Sequence, residues 1–104
     1  MDMNEMNVIT LVAQKKLDQT LLEEAKKAGA TGITYFYGKG TGVRQKLGPL
    51  GASIEEDKVI YLIGAPPEKT TAILHALVIA GNVDRPGQGF AYVQKVSNVF
   101  GFLE

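Results

Sequence analysis

The stretch from Gly29 to Gly42 constrains the fold of this chain more than any other. Gly29 follows a helical pattern and takes the position after the C-cap, where a left-handed backbone is needed. The next run, Ile33 to Tyr37, is β-branched and aromatic throughout, which is typical of a strand. Alternate glycines follow this strand and allow the backbone to pass close to another group. These glycines are Gly38, Gly40 and Gly42.

The other elements are predicted from hydrophobic periodicity and from helix start and stop signals. Asp18 is predicted to be the N-cap of the first helix, with Leu17 and Leu22 spaced as a hydrophobic staple. The order strand, helix, strand, strand, helix, strand is the ferredoxin-like βαββαβ pattern. The remaining predicted elements are strands Asn7–Gln14, Lys58–Ala65 and Phe90–Val96 and helices from Asp18 to about Ala28 and from Pro66 to Gly81.

This pattern predicts an α+β sandwich in which an antiparallel sheet carries two helices on one face. The 104 residues suffice for a single domain, residues 1–104, with one core of modest size. Self-association is therefore expected, and the aromatic strand supports it. Tyr35, Phe36 and Tyr37 are consecutive, so they cannot all face one core. One face of their strand is expected to be covered by a neighbouring subunit.

The composition argues against several functions. The absence of cysteine excludes disulfides and thiolate chemistry, and His75 is the only histidine. A formal net charge of zero gives no field that would recruit nucleic acid or anionic membrane. No apolar run is long enough to span a bilayer, and residues 1–6 do not resemble a signal peptide. A cytoplasmic protein without direct membrane insertion or a nucleic-acid partner is expected.

Nothing in the sequence indicates an enzyme. Ser53 and Ser97 have no predicted base beside them, so nucleophilic catalysis is not supported. The acidic residues 55–57 are consecutive, and such runs rarely converge on one cation without further ligands. The strands also lack the basic and aromatic pattern of RNA-binding sheets.

The loop Asp84–Gly89 is the stronger candidate for anion binding. It leads from the end of a helix into a strand, and its two glycines expose backbone amides. Arg85 adds a positive charge with a fork geometry that suits phosphate. The alternative is a plain turn between a helix and a strand.

The segment Gly38–Gly42 is the second candidate. Its amides can face a phosphate or a purine, with Lys39 and Arg44 supplying charge. On composition alone, a flexible hinge into a long loop is the favoured interpretation. That loop, Val43 to Asp57, is polar and without periodicity, and loops of this length are usually functional or mobile.

Three motifs in order along the chain resemble those of the PII signal-transduction family, in its PII-like branch. Gly29-Ala30-Thr31-Gly32-Ile33-Thr34 resembles the family's Gly-x-Thr-Gly-Met-Thr. Gly40-Thr41-Gly42, then Arg44-Gln45-Lys46, resembles Gly-Phe-Gly-Arg-Gln-Lys, with Val43 inserted. Gly87-Gln88-Gly89 resembles the Gly-Asp-Gly of the family's B-loop, and the likeness covers about residues 7–96.

The resemblance implies a homotrimer with nucleotide sites in the clefts between subunits. Adenine would lie near Thr34 and the third strand, and phosphates would meet the B-loop, residues 82–89, and the base of the long loop. That long loop corresponds to the family's T-loop, residues 39–57, which engages a target such as a membrane transporter or an enzyme. The nucleotide-binding residues implied are Thr34, Gly40, Thr41, Gly42, Arg44, Arg85, Pro86, Gly87, Gln88, Gly89 and Phe90.

The departures from the family pattern change the expected ligand. Phe90 replaces the B-loop lysine, and the arginine-rich C-terminal phosphate segment is missing. The resemblance therefore implies a sensor of ADP or AMP in preference to ATP, with bicarbonate as a candidate small-anion co-ligand. No tyrosine lies between Gly38 and Asp57, so tyrosine modification of the loop is not expected. The alternative is a CutA-like trimer with a metal-related or structural role and no nucleotide site.

Overall fold

The computed structural model describes residues 5–41 and 55–101. Four strands and two α-helices follow in the predicted order, with a short 3-10 helix, Lys15–Leu17, before α1. The elements are β1 Met6–Gln14, α1 Asp18–Lys27, β2 Gly32–Gly40, β3 Glu56–Ala65, α2 Pro67–Ala80 and β4 Phe90–Val96.

The four strands form one sheet in the order β2-β3-β1-β4, and every pair is antiparallel. In the centre of the sheet, Leu11 of β1 pairs with Tyr61 of β3, and Tyr61 pairs with Tyr35 of β2. The predicted ferredoxin-like fold is confirmed. β2 and β4 are the edge strands, so among residues 5–41 and 55–101 each has one side without a strand partner.

The core lies between the sheet and the two helices. Alternate residues of β1 and β3 are fully buried there, and they pack against Leu21 and Ala25 of α1 and Ile73 and Leu77 of α2. A period of two places every second side chain on the opposite face of the sheet. The buried strand residues are Ile9, Leu11, Ala13, Val59, Tyr61, Ile63 and Ala65.

The opposite face of the sheet has no helix over it in the described chain, and we call it the open face. Apolar side chains of all four strands lie on it. Phe36 is 49% exposed, Phe90 56% and Tyr92 45%, and Phe90 and Tyr92 stack on each other with ring centroids 6.3 Å apart. The consecutive aromatic residues of β2 thus divide as predicted: Phe36 lies on the open face, and Tyr35 and Tyr37 lie on the helix side.

The predicted end of β2 at Tyr37 is wrong, because pairing with β3 continues to Gly40. Lys39 lies opposite Asp57, and Gly40 lies opposite Glu56. Cross-strand pairing overrides the low strand propensity of the glycines. The loop predicted over residues 39–57 therefore begins and ends inside strands, and its centre, residues 42–54, lies outside the described residues.

The prediction for the C-terminal end of α1 is confirmed, and the prediction for its N-terminal end is wrong. The prediction for Gly29 is confirmed: its φ is +109°, its amide donates to the Lys26 carbonyl, and the Ala30 amide donates to the Ala25 carbonyl. The prediction that Asp18 is the N-cap is wrong. Asp18 has helical angles, φ −57° and ψ −43°, and is the first residue of α1. Its carboxylate accepts a hydrogen bond from Tyr37 instead.

Candidate functional site

A cleft of about 430 Å³ lies where the open face meets the loop before β4. It brings together the two glycine-bearing segments that the sequence singled out, which are separated by more than 40 residues of chain. The residues that line it are Val12, Lys39, Gly40, Thr41, Lys58, Ile60, Gly87, Gly89 and Phe90.

Gly89 is required by the geometry of this cleft. Its φ is +149°, and a Cβ atom added to it would lie 2.0 Å from the carbonyl oxygen of Val12. A side chain at this position would therefore collide with the backbone of β1. Gly87 also has a positive φ, +80°. These two glycines let the loop lie directly against the end of β1, where its backbone forms one wall of the cleft.

Hydrogen bonds fix the loop in this position. The Arg85 amide donates to the Asn82 carbonyl at 3.0 Å, and the Gln88 amide donates to the Arg85 carbonyl at 3.4 Å. The side chain of Gln88 accepts a hydrogen bond of 2.6 Å from Nε2 of Gln14, the last residue of β1. Within the described residues, the Gly87 amide donates to no backbone carbonyl. A backbone donor therefore remains for a ligand.

The charge on the cleft wall comes from a residue that the sequence analysis missed. Lys58 is 8% exposed and lies on the open face beside Ile60, with its ammonium 3.3 Å from the Glu56 carboxylate. One signal for it is present in the sequence: Lys58 alternates with Ile60 and Leu62, so a strand places all three side chains on one face. Only the register of the sheet shows that this side chain reaches the cleft.

Lys39, in contrast, directs its ammonium away from the cleft. It lies opposite Asp57 in the sheet and forms a 2.9 Å ion pair with it. The hydrogen bond to Asp57 raises the pKa of Lys39, and the same bond lowers the pKa of Asp57. Both side chains are more than half exposed, so the pair is screened and contributes little to stability.

The remaining predicted residues are not in this cleft. Arg85 and Pro86 are exposed at the tip of the loop, and Arg85 takes part in no ion pair among the described residues. Gly42 and Arg44 lie outside the described residues. Gln88 is half-buried, and its side chain contacts β1 as described above.

Thr34 lies in a second cleft, of about 610 Å³, at the other end of the strands. The register places Thr34 opposite Leu62, and Gly40, six residues further along β2, opposite Glu56. At about 3.3 Å per residue, Thr34 lies about 20 Å along the strand from Gly40 of the first cleft. Within one chain, Thr34 and the loop before β4 belong to separate clefts.

In residues 5–41 and 55–101, no group of three or more His, Asp or Glu side chains is placed to hold a metal ion. None of the helices in this part of the chain is long and apolar enough to cross a membrane.

No protein-family model matches the chain, and no curated protein matches it. Solved structures, in contrast, do match the chain. The B. subtilis GlnK–ATP complex superposes with a TM-score of 0.72 at 20% sequence identity, covering 95% of this chain and 87% of that one. A. thaliana PII bound to citrate gives a TM-score of 0.69 at 16% identity, covering 90% and 79%. A DUF3240 family protein from Shewanella baltica gives 0.69 at 14% identity, covering 98% and 100%.

The chain therefore has a PII-like fold. The resemblance predicted from three short motifs is confirmed at the level of the fold, over nearly the whole chain. At these identities the likeness concerns the arrangement of the backbone, and the functional assignment depends on the cleft itself.

Proposed function

We propose that this protein is a trimeric, cytoplasmic, non-enzymatic regulator that binds an adenine nucleotide, ADP or AMP in preference to ATP, and acts on a partner protein. One observation carries the proposal: the end of β2 and the glycine loop before β4 line the same cleft. Bicarbonate or a similar small anion is a candidate co-ligand. The partner, such as a membrane transporter or an enzyme, would be engaged through the loop between β2 and β3.

The glycine loop has the chemistry of a phosphate site. Backbone amides in a tight loop with positive φ angles form a concave group of donors that favours anions. Gly87 and Gly89 have such angles, and Lys58 adds a buried cation on the same face. Because Lys58 already pairs with Glu56, an incoming phosphate competes with one carboxylate.

The choice of nucleotide follows from the number of available cations. Phe90 occupies the position where the PII motif has its B-loop lysine, and its ring lines the cleft with 56% of its surface exposed. An aromatic ring supplies apolar area and no charge for a terminal phosphate. A hydrogen bond to a charged group contributes about 1.5–3 kcal/mol. The loss of one such contact to the terminal phosphate would weaken ATP binding about tenfold or more. The contacts to the inner phosphates would remain.

Assembly follows from the positions of the two clefts. The Thr34 cleft and the cleft lined by the glycine loop lie at opposite ends of the strands, about 20 Å apart along β2, so one small ligand does not use both within one chain. Two copies packed through their open faces can place the Thr34 cleft of one beside the glycine loop of the next. The same packing would cover Phe36 and Tyr92, which are exposed in the single chain.

The similar structures support a small-ligand function and define the competing hypothesis. The B. subtilis GlnK structure is a complex with ATP, and the A. thaliana PII structure contains citrate. ATP is therefore the ligand against which the preference for ADP or AMP must be tested.

The test is a calorimetric series with AMP, ADP and ATP, with and without magnesium, alongside light scattering. We expect a trimer that binds ADP or AMP at least about tenfold more tightly than ATP, and Phe90→Lys should improve ATP binding more than AMP binding. Arg85 lies outside the cleft of the single chain, at the exposed tip of the glycine loop, and it forms no ion pair among the described residues, so its guanidinium is available to the phosphates. Arg85→Ala should therefore weaken ADP binding, whereas Lys95→Ala, which also removes an exposed cation, should not. Tighter binding of ATP than of ADP would reject the preference. Copper binding without any nucleotide binding would favour the CutA-like alternative.

A further inference from the structure

Two tyrosines contact one residue at the start of α1, on the helix side of the sheet. Tyr61 of β3 is fully buried, and its hydroxyl donates to the backbone carbonyl oxygen of Asp18 at 2.6 Å. Tyr37 of β2 donates to carboxylate oxygen Oδ2 of Asp18 at 2.7 Å. Asp18 therefore joins both strands of the β2–β3 hairpin to the helix layer.

Ring contacts hold Tyr37 in place around this hydrogen bond. Tyr35 stacks on Tyr61 with ring centroids 5.2 Å apart, and it meets Tyr37 edge-to-face at 6.2 Å. The Lys15 ammonium lies 4.5 Å from the centroid of the Tyr37 ring, in a cation–π contact. The orientation of the Tyr37 hydroxyl is thus set from several sides.

The Tyr37–Asp18 hydrogen bond lies close in the chain to the candidate cleft. Two residues later, β2 reaches Lys39–Thr41, the segment that lines the candidate cleft. β2 is an edge strand, supported by β3 on one side, and Gly38 and Gly40 have no side chains with which to anchor it. Lys39 reaches only Asp57, in an exposed pair. The hydrogen bond to Asp18 is thus the last described contact with the helix layer before the cleft segment.

We propose that the Tyr37–Asp18 hydrogen bond positions Lys39–Thr41 for the ligand, which makes Tyr37 and Asp18 positioning residues of the site. They act from the helix side of the sheet, while the cleft opens on the other face. The inference rests on the proposed function for the identity of the ligand. The effect on the backbone is independent of any ligand and is tested separately.

The structural arm is hydrogen exchange on the ligand-free protein. Tyr37→Phe keeps the ring and its contacts and removes the hydrogen bond. Tyr35→Phe is the matched control, because the Tyr35 hydroxyl forms no hydrogen bond with the described residues. We expect several-fold faster exchange in peptides covering residues 38–41 for Tyr37→Phe and no change for Tyr35→Phe, with the denaturant midpoint of both near that of the unmutated protein. Unchanged exchange in Tyr37→Phe would overturn the inference.

The binding arm measures ADP affinity by calorimetry. Tyr37→Phe should weaken ADP about two- to tenfold, as expected for one lost neutral hydrogen bond. Asp18→Ala should do the same, and Asp18→Asn, which retains an acceptor oxygen, should restore most of the affinity. The double variant with Tyr37→Phe and Asp18→Ala should bind ADP no more weakly than the single variant that has the lower affinity.

Faster exchange with unchanged ADP affinity would overturn the link to the ligand. Failure of the unmutated protein to bind any adenine nucleotide would reject the proposed function, and exchange alone would then decide whether the hydrogen bond fixes the segment.

Discussion

The two faces of β2 differ although the same nine residues form both. On the helix side, Tyr35 and Tyr37 have partners within the chain: rings, a carboxylate and an ammonium group. On the open face, Phe36 is about half exposed, and the strand ends in a cleft that the described residues leave open. One side of the strand thus serves the stability of a single chain. The other side presents apolar surface and backbone donors to something outside it.

The largest effect is expected when the cleft wall itself is changed. Gly89→Ala would place a Cβ atom against the Val12 carbonyl oxygen and force a side chain into a positive-φ backbone. We expect the substitution to destabilise the fold by about 1–3 kcal/mol and to remove nucleotide binding. Gly32→Ala is the matched control for folding stability, because nothing lies within 4 Å of its added Cβ atom. Urea unfolding and ADP calorimetry on both variants provide the measurement, and a fully stable Gly89→Ala protein would contradict the described loop geometry.

A charge on the open face should break the assembly without breaking the chain. Phe36→Asp removes the burial of a large side chain in a proposed interface, worth roughly 1.5–3 kcal/mol per copy, and adds a desolvation cost. We expect light scattering to show monomers and calorimetry to show loss of ADP binding. Ile79→Asp is the control, since Ile79 is 58% exposed on α2, which packs on the other face of the sheet. Loss of the trimer in the control only would show that the open face is not the interface.

A smaller effect on the free energy of unfolding is expected at Tyr61, on the helix side of the sheet. Burial raises the pKa of Tyr61 to about 12, with the Asp18 charge as the next cause. Since the folded pKa lies above the unfolded value of about 10, the resulting stability is complete below pH 10 and is lost as the pH rises from 10 to 12. Tyr61→Phe should lose about 1–2 kcal/mol at neutral pH, because the Asp18 carbonyl loses its 2.6 Å donor. Its stability should then fall less steeply than that of the unmutated protein over the same alkaline range. Unfolding curves at pH 8, 10 and 12 measure both effects, and equal slopes would contradict them.

The smallest effect is expected at the exposed Lys39–Asp57 pair. Lys39→Gln should leave the denaturant midpoint almost unchanged, because water and salt already screen this ion pair. It should also change ADP affinity less than Arg85→Ala does. Urea unfolding at low and high salt, with calorimetry beside it, measures this. A large loss of ADP affinity would show that the Lys39 ammonium turns away from Asp57 to meet the ligand.

Several features of the fold could be predicted because their causes are local. Gly29 ends α1 through a left-handed backbone, and β-branched runs form the strands in the predicted order. The errors occurred where distant residues decide. The glycines that follow Tyr37 predict the end of β2 there, but pairing with β3 continues to Gly40. Asp18 has the composition of an N-cap, but its carboxylate accepts a hydrogen bond from a tyrosine 19 positions away.

By itself, the sequence determined the element order, the helix ends that depend on glycine geometry, and the two glycine-rich segments. It could do so because backbone sterics and hydrophobic period act over only a few residues. Only the tertiary structure decided that these segments share a cleft, that Lys58 reaches its wall, and that Thr34 lies in a separate cleft at the other end of the strands. Those facts depend on strand order and register, which arise from the burial of one face of the whole sheet.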